Sequence, residues 1–265
     1  MSVLPICWLI SSSRFSVLQI FSGLMMASLV MAGAHAGATE RSSLELSQEG
    51  VLSYCLDSHC QAVTVPAQFN MDLDSGYENA IPKNILGRDY VALTTGSSVN
   101  ACGKFYLFDA QALKATAAWE QPLCNVKVQS GRLVSAYRDA GKWHEKVFDV
   151  EGDRLTLLYE DECVGCGYVK RTRWQGNQSD TLLVTDVRGY DARQPLKAKV
   201  VADKASLYSA TSEGAKTKMY LVKGDEVTLL DDAVTDGTFW FFSEYVTASG
   251  KVIRKWVKDG DVSYK

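Results

Sequence analysis

GKFYLFDAQALKATAAWEQPLCNVKVQSGRLVSAYRDAGKWHEKVFDVEGDRLTLLYE, residues 103–160, repeats one short plan: alternating apolar and polar residues closed by a Gly or Asp turn. Residues 104–109, 132–137, 143–150 and 154–159 each follow it. A side-chain period of two marks a half-buried strand. Phe105, Leu107, Leu133, Val134, Val147, Phe148, Leu155 and Leu157 supply the inward set, and Lys, Arg, Glu and Ser fill the other face. Turn residues at Asp139-Ala140-Gly141 and Glu151-Gly152-Asp153 fall at the spacing of an antiparallel meander, so consecutive strands are predicted to be neighbours in space.

Upstream, residues 43–66 read as a hairpin interrupted by the Cys55 to Cys60 loop and stopped by Pro66. Residues 68–87 are polar, with too little periodicity for a strand pair and only a weak helical pattern. Further strands are predicted at 90–94, 115–119, 168–174 and 182–187. A break at 189–195 reads as a linker, and short strands resume at 200–201, 205–208, 219–222, 226–230, 238–244 and 255–257. The expectation is an all-β chain: an antiparallel meander or propeller-like domain over 43–188, then a small barrel over 196–265.

Residues 1–36 have the form of a secretory signal peptide. Arg14 is the lone cation before an apolar run, 15–31, and Ala34-His35-Ala36 gives a small-x-small cleavage site. That run is short for a bilayer span and is broken by Gln19, Ser22 and Gly23, so no membrane contact is expected once the leader is removed. The formal charge of the whole chain is −3, and loss of Arg14 makes the remainder one unit more negative. A face for nucleic-acid phosphates needs the opposite balance, so nucleic acid is not an expected partner. Six cysteines follow the leader: Cys55, Cys60, Cys102, Cys124, Cys163 and Cys166. The chain is expected to be periplasmic; an even count in an exported chain reads as disulfides, and six cysteines admit fifteen pairings. Nearest-neighbour pairing is favoured because each couple falls within one hairpin or on adjacent strands.

In the second segment, Lys223-Gly224-Asp225-Glu226-Val227-Thr228-Leu229-Leu230, Gly237-Thr238-Phe239-Trp240-Phe241 and Lys255-Trp256-Val257-Lys258-Asp259-Gly260 resemble the bacterial SH3 pattern, with Lys255 where that family usually carries Gly. The resemblance covers about 65 residues. It implies an SH3-like barrel, and a groove for peptidoglycan stem peptides lined by Tyr208, Trp240 and Trp256. In the first segment, Phe105-Tyr106-Leu107-Phe108-Asp109, Val134-Ser135-Ala136-Tyr137-Arg138, Gly141-Lys142-Trp143-His144 and Gly152-Asp153-Arg154-Leu155-Thr156-Leu157 faintly resemble periplasmic propeller-like proteins. Some of those carry a calcium loop, and some act as inhibitors or immunity proteins against lysozyme-like toxins.

Asn70, Asp72, Asp74, Gly76 and Glu78 place oxygen-bearing residues at alternate positions before and after a glycine, the spacing of a calcium loop; Asp72 and Asp74 are the weak ligand candidates, and no other cofactor is expected. Catalytic signals are poor. His59 and His144 are the histidines beyond the leader, and neither HExxH nor GxSxG occurs. Cys163-x-x-Cys166 lies between predicted strands, where a hairpin staple is expected over a redox pair. Alternation puts Trp240 and Phe242 on one face of their strand and Phe239 and Phe241 on the other, so one pair is expected to be exposed or to cover the domain junction. Aromatic and arginine side chains dominate contact patches, and Tyr137, Arg138, Trp143 and His144 are the candidate anchors for a protein partner. The expected function is non-catalytic: a periplasmic binding protein that blocks a secreted or toxin cell-wall hydrolase. Binding of peptidoglycan stem peptides through the small barrel is the alternative.

Overall fold

The computed structural model describes residues 42–96 and 98–264, and the expected leader over 1–36 lies outside them. The chain is all-β, with four antiparallel sheets laid down in chain order. The first holds β1 (Ser42–Leu46), β2 (Leu52–Leu56) and β3 (His59–Ala62). A short helix, α1 (Ala67–Asp74), follows. The second sheet holds β4 (Asn79–Ile85), β5 (Arg88–Thr94), β6 (Cys102–Asp109) and β7 (Lys114–Ala117), with β8 (Leu123–Cys124) pairing β6. The third is a six-stranded meander of β9 (Lys127–Gln129), β10 (Arg132–Asp139), β11 (Lys142–Glu151), β12 (Arg154–Val164), β13 (Tyr168–Gln175) and β14 (Gln178–Thr185). The last holds β15 (Lys197–Val200), β16 (Lys204–Tyr208), β17 (Lys216–Val222), β18 (Glu226–Thr235), β19 (Thr238–Val246), β20 (Val252–Lys258) and β21 (Val262–Tyr264), in the order β17-β16-β20-β19-β18-β15-β21. Its outer strands β17 and β21 are not paired with each other, so this sheet is a curled half-barrel.

The turns follow from local chemistry. A two-residue connection with the twist of the flanking strands needs positive φ at both places. Ala140 and Gly141 have φ of 45° and 84° between the paired Asp139 and Lys142, and Asp236 and Gly237 have 52° and 73° between Thr235 and Thr238.

Stretch 103–160 is shared between two sheets, one more than a single meander requires. Its strands are also buried on both faces. Leu133 and Phe148 face Tyr90, Ala92 and Phe105 of the second sheet, while Val134 and Val147 pack with Tyr190 on the other side. On the far side of the second sheet, Val91, Leu93, Tyr106 and Phe108 pack on Leu52, Val63 and Phe69 from β2, the β3–α1 connection and α1. Leu183 of β14 belongs to the same core as Leu207, Leu229, Phe241 and Val257 of the half-barrel. Burying one such aliphatic or aromatic side chain contributes about 1.5–3 kcal/mol.

Residues 189–195 are a packed strap, which corrects their reading as a linker. Tyr190 and Arg193 are buried, and Gln129 and Ser130 both donate hydrogen bonds to Asp191. Gly189 has φ +92°, the left-handed region that favours glycine, and a Cβ there would also push aside the Gln129 side chain that donates to Asp191. The polar segment 68–87 also differs from its weak pattern. It contains α1, anchored by buried Phe69 and Asp72, and β4, an almost wholly exposed edge strand that carries Pro82.

Candidate functional site

Three disulfides staple the chain, in the nearest-neighbour pairing: Cys55–Cys60, Cys102–Cys124 and Cys163–Cys166. The first two join directly opposed residues on β2 and β3 and on β6 and β8. The third closes the tip between β12 and β13, and Asp186 clamps that tip by accepting from the Gly165 and Gly167 amides.

The four expected anchors meet at the β10–β11 hairpin end. Tyr137 is paired with His144, their rings 5.0 Å apart and nearly parallel at 12°; Arg138 is paired with Trp143 on the next rung. Adjacent rungs point to opposite faces, so the group wraps around the hairpin end. Trp143 is 37% exposed, and Arg138 is exposed beside it. The end is held from both sides. Asn100 accepts from the Arg138 amide at 2.7 Å and donates to its carbonyl at 2.9 Å, while Trp143 is paired with Val164 next to the Cys163–Cys166 tip. Burial, followed by the carboxylates of Glu160, Asp139 and Glu162, pushes the Tyr137 phenol up, so it stays a hydrogen-bond donor. Lys146 lies 5.6 Å from its ring centroid.

The aromatic set of the half-barrel is placed differently. Tyr208 and Trp240 are buried, with rings 4.8 Å apart. Lys258, paired with Glu213, lies over both rings. This corrects the expectation that all three groove aromatics face a ligand. Trp256 alone is half-buried, against Phe242 at 5.2 Å. Neither face of β19 is exposed either: Trp240 and Phe241 are buried, and Phe239 and Phe242 are half-buried. Phe242 instead joins Leu182 and Leu230 in a cleft of about 650 Å³ between β13–β14 and the half-barrel. Its rim carries two ion pairs, Arg173 with Asp180 and Arg254 with Glu244.

Asp72 and Asp74 are not brought together for an ion. Two residues apart on α1, they point about 200° from each other around the helix. Asp72 is buried and accepts from Tyr106 Oη and Gln68 Nε2, whereas Asp74 is exposed. Among the described residues, the one cluster with metal-ligand spacing is Glu45 with Cys55 and Cys60, whose sulfurs form a disulfide.

Sequence reasoning missed a buried charge network under the strap. Asp161 is fully buried on β12, accepts two hydrogen bonds of 2.6 Å from Arg171 of β13, and also pairs with Arg193 of the strap. Arg193 reaches Glu145 of β11 at 2.9 Å, and Lys127 of β9 reaches the same carboxylate at 2.9 Å. Arg171 further donates to the Tyr190 carbonyl. The signal was present as inward charges of opposite sign on neighbouring strands. The partner from the strap, Arg193, had no strand period to reveal it.

Burial alone would push the Glu145 carboxyl up, but the Lys127 hydrogen bond and the charges of Arg193 and Lys127 outweigh it, holding the group below its ordinary value of 4.5. A depressed folded pKa contributes stability that is present above the unfolded value and lost as pH falls through the folded one. The stability gap between wild type and Glu145→Gln is therefore expected to be constant near neutrality and to shrink as pH drops below about 4.5, read by urea titration at each pH. A gap independent of pH would show that Glu145 is not charged in the fold.

Among the described residues no helix is long and apolar enough to cross a membrane. Compared with known proteins, the chain matches no family model, no curated protein and no solved structure.

Proposed function

We propose that the chain is an exported, non-catalytic binding protein that docks on another protein through the β10–β11 hairpin end, the partner being a secreted or toxin hydrolase of the cell wall. The observation that carries this is the placement of Tyr137, Arg138, Trp143 and His144 on two consecutive rungs of one hairpin, with Trp143 left 37% exposed. An aromatic and arginine patch that is already rigid loses little conformational freedom on docking, and Asn100 and the Cys163–Cys166 tip supply the rigidity here. The choice of partner rests on charge and export. An acidic chain attracts the basic enzymes that seek anionic wall polymers, and the disulfides fit an oxidising compartment such as the periplasm.

A second reading has its own observation. The cleft beside Phe242 and Trp256 has an apolar floor and paired charges of both signs on its rim, which suits a short zwitterionic stem peptide of peptidoglycan. The half-barrel then acts through its outer face, since Tyr208 and Trp240 are inside.

Capture of purified muramidases and amidases by immobilised mature chain separates the two readings. Trp143→Ala and Arg138→Ala are each expected to weaken capture at least about tenfold, with unfolding free energy changed by no more than about 0.5 kcal/mol. Capture unaffected by either substitution, or lost only with Phe242→Ala, would move the site to the cleft.

A further inference from the structure

The bridge at the β12–β13 tip differs in kind from the other two. Cys55–Cys60 and Cys102–Cys124 join residues that already face each other across paired strands. Cys163–Cys166 spans no rung. It closes a loop of sequence separation 3 around Val164 and Gly165, with Cys166 exposed and Cys163 half-buried. Alone among the six cysteines beyond the expected leader, Cys163 has a left-handed backbone, with φ +62°. A residue with a Cβ is strained in that region, and glycine is the usual occupant.

The strand register shows what this conformation does. His144 is paired with Glu162 and Trp143 with Val164, so one step on β11 spans two on β12. Cys163 is the extra residue, a β-bulge of the kind that ordinarily places glycine in the left-handed region. Without the bulge Trp143 would stand opposite Cys163, and one residue of slip exchanges the two sides of a strand. Asp186 holds the tip only through the Gly165 and Gly167 amides. The disulfide is therefore the covalent hold on the bulge, and the bulge sets the rung that carries Trp143.

We infer that the Cys163–Cys166 bridge is a thiol-exchange site: a dithiol donor opens it selectively and loosens the Trp143 rung, so that the redox state of the tip regulates docking. This last consequence rests on the docking function proposed above. A thiolate of the donor attacks the exposed Cys166 Sγ, the S–S bond breaks, and Cys163 leaves as a thiolate that takes up a proton. The donor's second thiol then displaces Cys166 from the mixed disulfide. The bridge gains two electrons and two protons, and the donor ends as a disulfide. Strained or exposed bridges are the reducible ones. A loop this short constrains the unfolded chain less than the Cys102–Cys124 loop of separation 22 does, so the fold survives its opening. Val164 stays packed on Val169, Leu182 and Val184, which keeps the reduced tip close enough to close again.

Graded dithiothreitol, followed by alkylation and peptide mass mapping, reads the order of opening in the folded mature chain. Cys163 and Cys166 are expected to be labelled at a reductant concentration at least about tenfold below that which labels the other four cysteines. In chain reduced only at the tip, the Trp143 indole N–H resonance is expected to shift, and reoxidation to reverse the shift. The Cys163→Ser/Cys166→Ser chain should show the same shift without reductant. Simultaneous or later opening of the tip, or a Trp143 resonance indifferent to it, would overturn the inference on the wild-type chain alone. Capture of a hydrolase should weaken at least about tenfold on tip reduction, and equal capture by both redox forms would overturn the regulatory step. Absence of capture by the oxidised chain would count against the docking function instead, with labelling and resonance still deciding the exchange site.

Discussion

Asp161→Ala is expected to cost about 3–5 kcal/mol, the range for removing one partner of a buried pair, because it strands two buried guanidinium groups at once. Arg171 and Arg193 have side chains 9% and 1% exposed, and both hydrogen-bond the same fully buried carboxylate. Water cannot reach either cation to replace it. The effect should also spread beyond β12: Arg193 is one of the ties that hold strap 189–195 against the six-stranded sheet, and the strap leads directly into Leu196 of the half-barrel core. Urea unfolding of the mature chain is the measurement, and hydrogen exchange should show the amides of Gln194 and Leu196 opening first. Replacing the carboxylate and both arginines together by apolar residues of like volume should restore much of the loss, since a buried network often only breaks even with good packing. A cost below about 1 kcal/mol for Asp161→Ala would mean the network is hydrated in solution.

Complete reduction should be the larger perturbation. The bridges close loops with sequence separations of 3, 5 and 22 residues. Chain entropy assigns about 2 kcal/mol to each short loop and about 3.4 kcal/mol to Cys102–Cys124, or about 7 kcal/mol together. A domain of ordinary stability has about 5–15 kcal/mol in all, so the reduced chain should be largely unfolded or melt far below the oxidised one. The double variant Cys102→Ser/Cys124→Ser should account for nearly half of that loss. An unchanged melting temperature, with thiol titration showing all the bridges open, would remove the disulfides from the list of what holds the fold.

The strands of the meander were legible because alternation and turn residues agree there. Ala140-Gly141 and Gly152-Asp153 sit at hairpin ends where their backbone chemistry places them. Period two cannot say, however, whether a sheet is covered on one face or both. Leu133 and Val134 are adjacent, point to opposite sides and are both fully buried, so a half-buried pattern gave the right strand and the wrong environment. β4 escaped notice for the converse reason: an edge strand with a proline and one buried side chain, Ile85, has too little apolar alternation to reveal it. The hairpin-end residues could be grouped from sequence, since a two-residue turn fixes which residues stand opposite one another. Asp72 was noticed for its spacing with Asp74. Its role was not legible, because Tyr106, 34 residues away, is what engages it. Trp240 and Tyr208 were misplaced because their strand alternation holds, but the Lys258–Glu213 pair covers the face on which they lie.

The proposed function requires a rigid, stapled surface at the β10–β11 end to block an enzyme without doing chemistry itself. Clearing of purified sacculi by a panel of muramidases and amidases, followed by turbidity with equimolar mature chain added, tests it most directly. The expected result is that one enzyme class stops clearing in the presence of the wild-type chain and resumes with the Trp143→Ala chain. Clearing by the chain alone, or unimpeded clearing by every enzyme while the chain sediments with the sacculi, would contradict it.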